Sequence, residues 1–312
     1  MKKVNCNLCG SEDNIFLFKG KDRLHNIPGE FDIVKCKKCN LVFLSPQPSQ
    51  KELGNYYPKK YFTHNLIKNK FKEKIRKMVY RTYHGHKNNL FMKLLFFPYH
   101  NLRGIPYIKN GKALDIGCGN GRFLLDCRNI GWDVYGIEID KEAEEIAEKN
   151  GIKIFQDLKK ADFRDNFFDT ITVWDSLEHM PNPMETLKEI KRILKKEGSL
   201  VIEIPNIDSS AYTLFKDKWY GLDCPRHLHS FSLNTIKKYC DKIGFKIEKI
   251  KYNSRPSQFL TSIQYIINEK TGRHSLRLRN NYILKQIFRI PAFIANKLKI
   301  GDSFIIYLKP IQ

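Results

Sequence analysis

An apolar strand that runs directly into a glycine-rich turn constrains this chain most. Residues 113–121 read Ala-Leu-Asp-Ile-Gly-Cys-Gly-Asn-Gly, and a second apolar run, residues 134–140, ends in acidic residues. Glycines let the backbone turn sharply and approach a ligand without Cβ clashes. A helix after the turn directs free N–H groups at that space, and Glu138 can accept hydrogen bonds from both hydroxyls of a ribose. The pattern predicts a nucleoside-like cofactor site at the carboxyl ends of parallel strands.

Strand and helix patterns alternate from residue 110 onward. The predicted strands are 112–116, 133–139, 152–155, 170–174, 199–204, 245–252 and 303–308. The predicted helices are 120–130, 141–150, 184–196 and the segment from the cap Ser232 to Ile243, which ends at Gly244. This alternation predicts an α/β fold with a doubly wound, mostly parallel sheet.

The positive charge is concentrated in two segments that flank this α/β region. The whole chain of 312 residues has a formal net charge of +22, of which residues 59–109 carry +12 and residues 254–300 carry +8. Three interpretations stay open for these segments. The first is a pair of solvated amphipathic helical segments that cover the domain. The second is a docking surface, either for an anionic membrane or for a phosphate-bearing glycan carrier. The third is a nucleic-acid binding surface. Nucleic acid is the least favoured, because no RNA-reading signature is evident.

The chain shows no targeting or membrane-spanning pattern. Two lysines follow Met1, but no apolar run follows them, which argues against a signal peptide. No apolar stretch approaches the roughly 18 residues of a membrane span. We therefore expect a soluble, cytoplasmic protein with at most a peripheral contact at the inner face of the membrane.

Two C-x-x-C pairs mark the first 45 residues. They are Cys6 with Cys9 and Cys36 with Cys39. Paired knuckles of this kind predict a tetrahedral Zn²⁺ site, and four thiolates leave no open position, so the metal would be structural. Two disulfides are the alternative, which a cytosolic setting disfavours. Together with residues 41–48, this module resembles the zinc-binding N-terminus of some sugar methyltransferases. Small zinc ribbons also bind RNA, so the module does not settle the substrate class.

Several motifs in the α/β region resemble those of class I S-adenosylmethionine-dependent methyltransferases. The matching segments are 114–121, 136–138, 168–171, 175–179, 189–198 and 204–206. The resemblance covers residues 110–253 and the last strand. It implies a Rossmann-like sheet of seven strands with the last strand antiparallel, and S-adenosyl-L-methionine as cofactor. It also implies the cofactor-binding residues Asp115, Gly117, Cys118, Gly119, Gly121, Glu138 on the ribose, Asp157 beside the adenine, and Asp175.

A dehydrogenase is the alternative for a glycine-rich turn. The spacing here is G-x-G-x-G, whereas G-x-G-x-x-G supports a pyrophosphate. A cofactor without a phosphate does not need that support.

Three histidines are candidates for a catalytic base. They are His179 after the fourth strand, and His227 and His229 in the segment 219–231, which has neither helical nor strand periodicity. At least one of them is expected to be structural. Three further residues of that segment are predicted to serve the substrate: Tyr220, Asp223 and Arg226, with Asp223 also able to orient a histidine and Arg226 able to bind an anionic group.

The predicted organisation has four parts. They are a zinc module at 1–45, a basic helical linker at 46–109, a methyltransferase domain at 110–253 with 301–312, and a basic insertion at 254–300 near the active-site mouth. The Pro-Arg-His-Leu run also resembles methyltransferases of sugar, glycan and secondary-metabolite pathways, which implies a small or lipid-linked acceptor. An RNA methyltransferase and a non-catalytic, zinc-bearing scaffold are the alternatives.

Overall fold

The computed structural model describes most of the chain. The described residues are 1–57, 70–85, 90–96 and 103–311. The rest of the predicted basic linker lies outside the described residues.

The described residues contain eleven strands. They are β1 (Asn14–Gly20), β2 (Phe31–Cys36), β3 (Val42–Leu44), β4 (Lys112–Ile116), β5 (Asp133–Ile137), β6 (Lys153–Phe155), β7 (Phe168–Trp174), β8 (Leu194–Pro205), β9 (His229–Ser230), β10 (Phe245–Tyr252) and β11 (Ser303–Pro310).

Twelve α-helices connect the strands within the same described residues. They are α1 (Gln50–Gly54), α2 (Lys70–His84), α3 (Leu90–Leu95), α4 (Arg122–Arg128), α5 (Lys141–Lys149), α6 (Pro183–Ile193), α7 (Ser210–Phe215), α8 (Leu233–Ile243), α9 (Pro256–Thr271), α10 (Arg277–Asn280), α11 (Tyr282–Ile287) and α12 (Arg289–Lys297).

The larger sheet has the strand order β10-β11-β8-β7-β4-β5-β6. β4 pairs in parallel with both β5 and β7, and β5 pairs in parallel with β6. This order confirms the predicted seven-stranded, mostly parallel sheet. The register places Asp115 opposite both Gly136 and Thr172, so a carboxyl group faces a hydroxyl within the sheet.

The predicted ends of α8 are confirmed. The Ser232 hydroxyl accepts a hydrogen bond from the N–H of Thr235, and the Thr235 hydroxyl accepts one from the N–H of Ser232. The two bonds form a capping box. Gly244 ends the helix with a left-handed φ of 84°. α6 instead ends at Ile193, three residues earlier than predicted. The carbonyl of Ile193 accepts the N–H of Phe167, and the chain continues as β8.

A smaller antiparallel sheet has the order β1-β2-β3-β9. β9 comes from the segment that we predicted to lack regular structure, so that prediction is wrong in part. His229 and Ser230 pair with Phe43 and Val42. The edge of β3 has backbone N–H and C=O groups that require hydrogen-bond partners, and the two residues of β9 provide them.

The chain divides into two compact units. The first unit contains Met1–Lys59, Asp175–Glu185 and Ile202–Tyr307, and the second contains Lys60–Trp174, Thr186–Val201 and Leu308–Gln312. The core of the first unit includes Phe31, Ile33, Leu44, Phe215, Trp219 and Leu228. The second unit has a cluster of edge-packed rings: Tyr135, Phe155, Phe163, Phe167 and Phe168. Among the described residues, no helix has both the length and the apolar character to cross a membrane.

Candidate active site

The turn after β4, in the second unit, has three glycines in the left-handed region. Gly117, Gly119 and Gly121 have φ of 74°, 54° and 73°, angles that other residues adopt rarely. A Cβ on Gly121 would lie 2.3 Å from Cδ1 of Ile152. The N–H of Gly117 donates to the carbonyl of Ile137 at 2.8 Å, which holds the turn against the end of β5. The turn therefore requires glycine for both its conformation and its close packing.

The Glu138 carboxylate lies at the carboxyl end of β5 and contacts this turn. Its Oε2 accepts the N–H of Gly119 at 2.7 Å, and its Oε1 accepts the N–H of Asp140 at 2.9 Å. Burial raises the pKa of Glu138, and these backbone donors oppose the shift. Each carboxylate oxygen has two lone pairs, so both oxygens retain capacity for a further donor.

Asp115 is buried beneath the turn. Its Oδ1 accepts the Thr172 hydroxyl at 2.7 Å. Burial raises the pKa of Asp115 to about 7, although Thr172 and the positive charge of Arg103 lower it. The Arg103 guanidinium also lies 5.2 Å from the centre of the Trp174 ring.

Two other predicted cofactor residues of this unit make local contacts. The Cys118 thiol is buried, and a Cβ on Gly136 would lie 2.5 Å from its Sγ. Asp157 is exposed just after β6, and its Oδ1 accepts the N–H of Lys160 at 2.8 Å.

This geometry fits the nucleoside end of the cofactor that the sequence resemblance implies. A bare backbone turn leaves room for a ligand, and the Glu138 carboxylate has acceptor capacity for ribose hydroxyls. When bound, S-adenosylmethionine supplies an electrophilic methyl group. Gly117, Gly119, Gly121 and Glu138 are the residues that would hold it.

The first unit contains a cluster of buried titratable groups around His227. The Nδ1 of His227 lies 2.8 Å from the carbonyl oxygen of Gly221. A carbonyl only accepts, so Nδ1 must carry the hydrogen and Nε2 keeps its lone pair. This Nε2 lies 3.8 Å from Oε1 of Glu178 and 3.9 Å from Oδ2 of Asp223. Burial lowers the pKa of His227, and the negative charge of Asp223 opposes that shift.

His179 belongs to the same cluster. Its ring centre lies 4.6 Å from that of His227, at an interplanar angle of 84°. Its Nδ1 lies 3.0 Å from the carbonyl oxygen of Arg226 and 3.1 Å from the Tyr57 hydroxyl. Burial and the neighbouring His227 lower the pKa of His179 to about 3. The structure therefore brings two of the three predicted bases together.

His229 has a different environment. It lies in β9, is 2% exposed, and is hydrogen-bonded to the backbone of Met180. Burial lowers the pKa of His229 to about 4. Its position in a sheet strand favours a structural role, which differs from the catalytic role we predicted.

Arg226 does not match its predicted role of binding an anionic substrate group. Its side chain is fully buried, and all its nitrogens are engaged within the protein. Nη1 and Nη2 donate to the Asp22 carboxylate, Nε and Nη2 donate to Asp223, and Nη1 also donates to the Tyr56 carbonyl. Five N–H groups make five hydrogen bonds, so none is left for a substrate. Arg226 instead orients Asp223.

Asp223 accepts two hydrogen bonds from the Arg226 guanidinium, at 3.0 and 2.7 Å. Burial alone would raise its pKa, but the Arg226 guanidinium lowers the pKa of Asp223 to about 2. Asp223 is therefore ionised at neutral pH beside the Nε2 of His227. The prediction that Asp223 orients a histidine remains a proposal, supported by this proximity.

Sequence analysis missed a second ionic group in the first unit. Arg255 binds Oε1 of the fully buried Glu203 at 2.5 Å and lies 3.6 Å from Oδ2 of Asp175. Asp175 has a left-handed φ of 48°. The one available signal was Glu203 itself, an acid within the apolar run of β8.

Tyr220 lies within electrostatic reach of Asp175 and Arg255. Its N–H donates to the Ser262 hydroxyl at 2.9 Å. The Arg279 guanidinium lies 5.2 Å from the centre of its ring, a cation–π contact. Burial raises the pKa of Tyr220, while the positive charges of Arg279 and Arg255 oppose the shift.

The four cysteines of the N-terminal pairs converge in the first unit. Sγ of Cys6 lies 3.3 Å from that of Cys39, Sγ of Cys9 lies 3.5 Å from that of Cys36, and all four lie within 4.8 Å of one another. Tetrahedral Zn–S bonds of about 2.3 Å place sulfurs about 3.8 Å apart. The cluster therefore fits a zinc ion.

The two knuckles share one backbone geometry. In each, the residue after the second cysteine donates its N–H to the carbonyl of the first cysteine. These residues, Gly10 and Asn40, have left-handed φ of 76° and 70°, and both residue types tolerate this conformation. Repetition of this turn in two separate segments argues for a built ligand site rather than chance proximity.

Helix α8 and the start of α6 contact the first knuckle. Lys242 donates to the carbonyl of Leu8 at 2.7 Å. The Asn7 side-chain oxygen accepts both the Tyr239 hydroxyl at 2.9 Å and the N–H of Met184 at 3.1 Å. The cysteine cluster is thus joined to the segment that follows His179.

A family model and several known proteins are similar to this chain. A family model described as a methyltransferase domain matches residues 91–250. An uncharacterised protein of Methanocaldococcus jannaschii is 33% identical over 144 residues, which cover 45% of this chain and 67% of that protein. The ubiquinone biosynthesis O-methyltransferase of Haemophilus ducreyi is 34% identical over 164 residues, covering 46% of this chain and 70% of the relative.

These alignments span about two thirds of the relatives' length. Among solved structures, a SAM-dependent methyltransferase of Archaeoglobus fulgidus is 23% identical with a TM-score of 0.46, covering 70% of this chain and 93% of that one. The family match includes the glycine turn, Glu138 and His227. The chain therefore belongs to the methyltransferase-domain family, and it is an S-adenosylmethionine-dependent methyltransferase.

Proposed function

We propose that this enzyme methylates an oxygen or carbon nucleophile of a small acceptor, with Nε2 of His227 as the general base. The observation that carries the proposal is the bond between Nδ1 of His227 and the Gly221 carbonyl at 2.8 Å. It fixes the tautomer that leaves Nε2 free to accept a proton.

The surroundings of His227 suit this role. Burial keeps its ring neutral before reaction, because it lowers the pKa of His227. After proton uptake, the carboxylates of Glu178 and Asp223, 3.8 and 3.9 Å from Nε2, would stabilise the imidazolium. His179 is proposed as a positioning residue, because burial and the neighbouring His227 lower its pKa to about 3, too low for an effective base near neutral pH, and its ring packs edge-on against that of His227.

The remaining cofactor contacts are part of the same proposal. We assign Glu138 to the ribose hydroxyls, the glycine turn and Asp115 to the methionine end, and the segment at Asp157 to the adenine. The support is the position of all three at the carboxyl ends of parallel strands, which is where α/β sheets bind nucleotides. The cofactor role of Asp175 also remains a proposal.

The acceptor is proposed to be a sugar or related metabolite, free or lipid-linked. Ubiquinone biosynthesis O-methyltransferases, which resemble this chain over roughly half its length, support a small acceptor. Tyr220 and Arg279 are the proposed acceptor-binding groups, in place of Arg226. A ring beneath a guanidinium offers both a stacking surface and a positive charge.

His227→Asn tests the base. The asparagine amide can keep the bond to Gly221, but it has no proton acceptor at the Nε2 position. We expect turnover to fall about 100-fold or more, measured as S-adenosylhomocysteine release with a panel of sugar nucleotides and phenols. Binding of S-adenosylmethionine should stay within about twofold by calorimetry. Loss of turnover in the matched control His274→Asn, or full turnover in His227→Asn, contradicts the proposal.

The four cysteines are proposed to bind one structural Zn²⁺ ion. The support is their converging geometry and the repeated knuckle turn. Elemental analysis of the purified protein should give about one zinc per chain. Cys36→Ser should lower that ratio, whereas Cys240→Ser, a buried cysteine of α8, should not. Full zinc content in Cys36→Ser would contradict the site.

RNA is the second candidate acceptor. A tRNA U34 carboxymethyltransferase of Helicobacter pylori is 28% identical over 151 residues and 45% of this chain, and two segments of the chain are strongly basic. Methyl transfer to tRNA in the presence of cofactor, with affinity that falls steeply with added salt, would favour this candidate over a small acceptor.

A further inference from the structure

Helices α11 and α12 present large apolar side chains to solvent. Five of these side chains recur at spacings of three or four residues and are between 49% and 70% exposed: Ile283, Ile287, Ile290, Ile294 and Leu298. Phe293 is 61% exposed beside them. Ile283 and Ile287 therefore share one side of α11, and Ile290 and Ile294 share one side of α12. Leu298 is the C-cap residue of α12. We call these six residues the α11–α12 face.

The opposite side of α12 is the one that packs inward, and its side chains are small. Ala292 and Ala295 are 3% and 5% exposed, and α12 packs against β10 while α11 packs against α9. A surface helix of a globular protein normally buries its large apolar residues and exposes its polar ones. Here that order is inverted, so the α11–α12 face is an apolar surface presented outward.

The charge around this face has one sign. Residues 270–301 contain eight lysines and arginines and no aspartate or glutamate. No described carboxylate forms an ion pair with any of the eight. Arg289 donates to Gln286, and the Lys297 ammonium lies 5.5 Å from the centre of the Phe293 ring. The positive charges are therefore available to an external anion.

We propose that the α11–α12 face binds the surface of an anionic lipid bilayer. Aliphatic and aromatic side chains would enter the boundary between headgroups and acyl chains, while Arg289 and Lys297 would bind lipid phosphates. This inference goes beyond the proposed function, because it holds whichever acceptor is methylated. It assigns the docking surface to a named pair of helices within the basic segment 254–300.

Two other occupants fit the face less well. A second copy of this chain, packed through the same face, would bring two clusters of like charge together, which opposes association. A nucleic acid would satisfy the positive charges through its phosphates, but aliphatic side chains such as Ile287 and Ile290 provide no stacking surface for bases.

Vesicle flotation with the full chain tests the proposal. We expect the protein to float with vesicles of phosphatidylcholine that contain about one third phosphatidylglycerol, and to stay unbound with phosphatidylcholine alone. Added salt should weaken the binding, because it screens the electrostatic part. Absence of binding to the anionic vesicles at low salt overturns the proposal.

Two variants locate the binding surface. Ile290→Ser with Phe293→Ser should lower the partition coefficient at least tenfold, and Arg289→Gln with Lys297→Gln should do the same on anionic vesicles. The matched controls are Leu214→Ser, an equally exposed leucine of α7, and Lys237→Gln with Lys246→Gln, which removes the same charge. Controls that lose binding as strongly as the α11–α12 variants overturn the assignment.

Three further measurements complete the test. Calorimetric binding of S-adenosylmethionine should be unchanged in all variants, which confirms that they fold. A dimer that Ile290→Ser with Phe293→Ser disperses, in protein that does not bind vesicles, identifies a second copy as the occupant and overturns the proposal. Tighter binding to RNA than to anionic vesicles, lost in the same variants, also overturns it.

Discussion

The glycine turn of the second unit and the His227 cluster of the first unit each bury an aspartate, and the pKa values of the two aspartates are shifted in opposite directions. Asp115 has one close hydroxyl partner, and burial raises its pKa to about 7. Asp223 is bonded to Arg226, which lowers its pKa to about 2 despite burial. Whether the pKa of a buried carboxyl group is raised or lowered therefore depends on whether a fixed cation is bonded to it.

The difference matches the proposed roles of the two regions. The turn would bind a cofactor with backbone groups, which need no fixed charge, and Glu138 likewise has a raised pKa. The His227 cluster would have to stabilise a positive imidazolium, so an aspartate that stays ionised is useful there. Arg226 keeps Asp223 ionised, while its own N–H groups are all bonded to other groups of the protein.

The sharpest test of this comparison is Asp223→Asn. It leaves the buried Arg226 with one carboxylate partner instead of two, so we expect a loss of about 3–5 kcal/mol in the free energy of unfolding. Urea unfolding at pH 7 measures it. The control Asp13→Asn, at an exposed pair with Lys37, should cost less than about 1 kcal/mol. Equal effects would remove the distinction between the two aspartates.

Asp115→Asn should increase the free energy of unfolding at high pH, whereas Asp223→Asn should decrease it. The folded-state pKa of Asp115, about 7, lies above its ordinary 3.8, so the folded protein binds a proton that the unfolded chain has released. Its contribution to stability is therefore full below pH 3.8 and is lost as the pH rises through 7.

Asparagine can accept the Thr172 hydroxyl bond without ionising. We expect Asp115→Asn to be the more stable protein at pH 8 by on the order of 3 kcal/mol, with a smaller difference at pH 5. Urea unfolding at both values measures the change. An equal advantage at pH 5 and pH 8 would show that Asp115 is already ionised in the folded state at pH 5, and would contradict the raised pKa.

Glu138→Gln tests the proposed contribution of the glycine turn and Glu138 to binding of S-adenosylmethionine. Removing the charge weakens the bonds to ribose hydroxyls and alters those to Gly119 and Asp140, which should raise the Kd for S-adenosylmethionine about 10- to 100-fold, or roughly 1.5–3 kcal/mol. Calorimetry measures the change. Glu145→Gln, on the exposed side of α5, is the matched control and should leave the Kd unchanged. An unaltered Kd in Glu138→Gln would remove the proposed ribose contact.

The smallest expected effect is a pH dependence of turnover. Burial lowers the pKa of His227 below its ordinary 6.5, so the base is neutral throughout the neutral range. We expect kcat/KM to be level from about pH 6.5 to 8 and to fall about tenfold per unit only in more acid solution. A fall that begins above pH 7 would identify a different base.

Much of the second unit could be predicted because its signals are local. The turn is determined by a strand, three glycines and an acid that lie within 26 residues. The contacts of Gly117 and Gly119 with Ile137 and Glu138 join only two neighbouring strands of one sheet. The same reasoning applies to the cysteine knuckles, in which spacing and residue type predict a left-handed turn that Gly10 and Asn40 adopt.

The first unit shows where that reasoning stops. The environment of His227 combines residues from distant parts of the chain, because Asp22, Tyr57, Glu178 and Asp223 converge around two histidines and one arginine. No local pattern indicates that Asp22 lies against Arg226, 204 positions away. For this reason the sequence alone could not show that Arg226 is fully bonded within the protein, or that His229 lies in a sheet strand.

The amino-acid sequence alone determined the order of strands and helices, the glycine turn and the cysteine pairs, because these depend on backbone conformation and on spacing along the chain. Only the tertiary structure decided which buried groups are charged, which histidine keeps a free nitrogen, and which side of α12 meets solvent. Those properties depend on partners brought together across the fold, and the Asp22–Arg226–Asp223 contact is the clearest case.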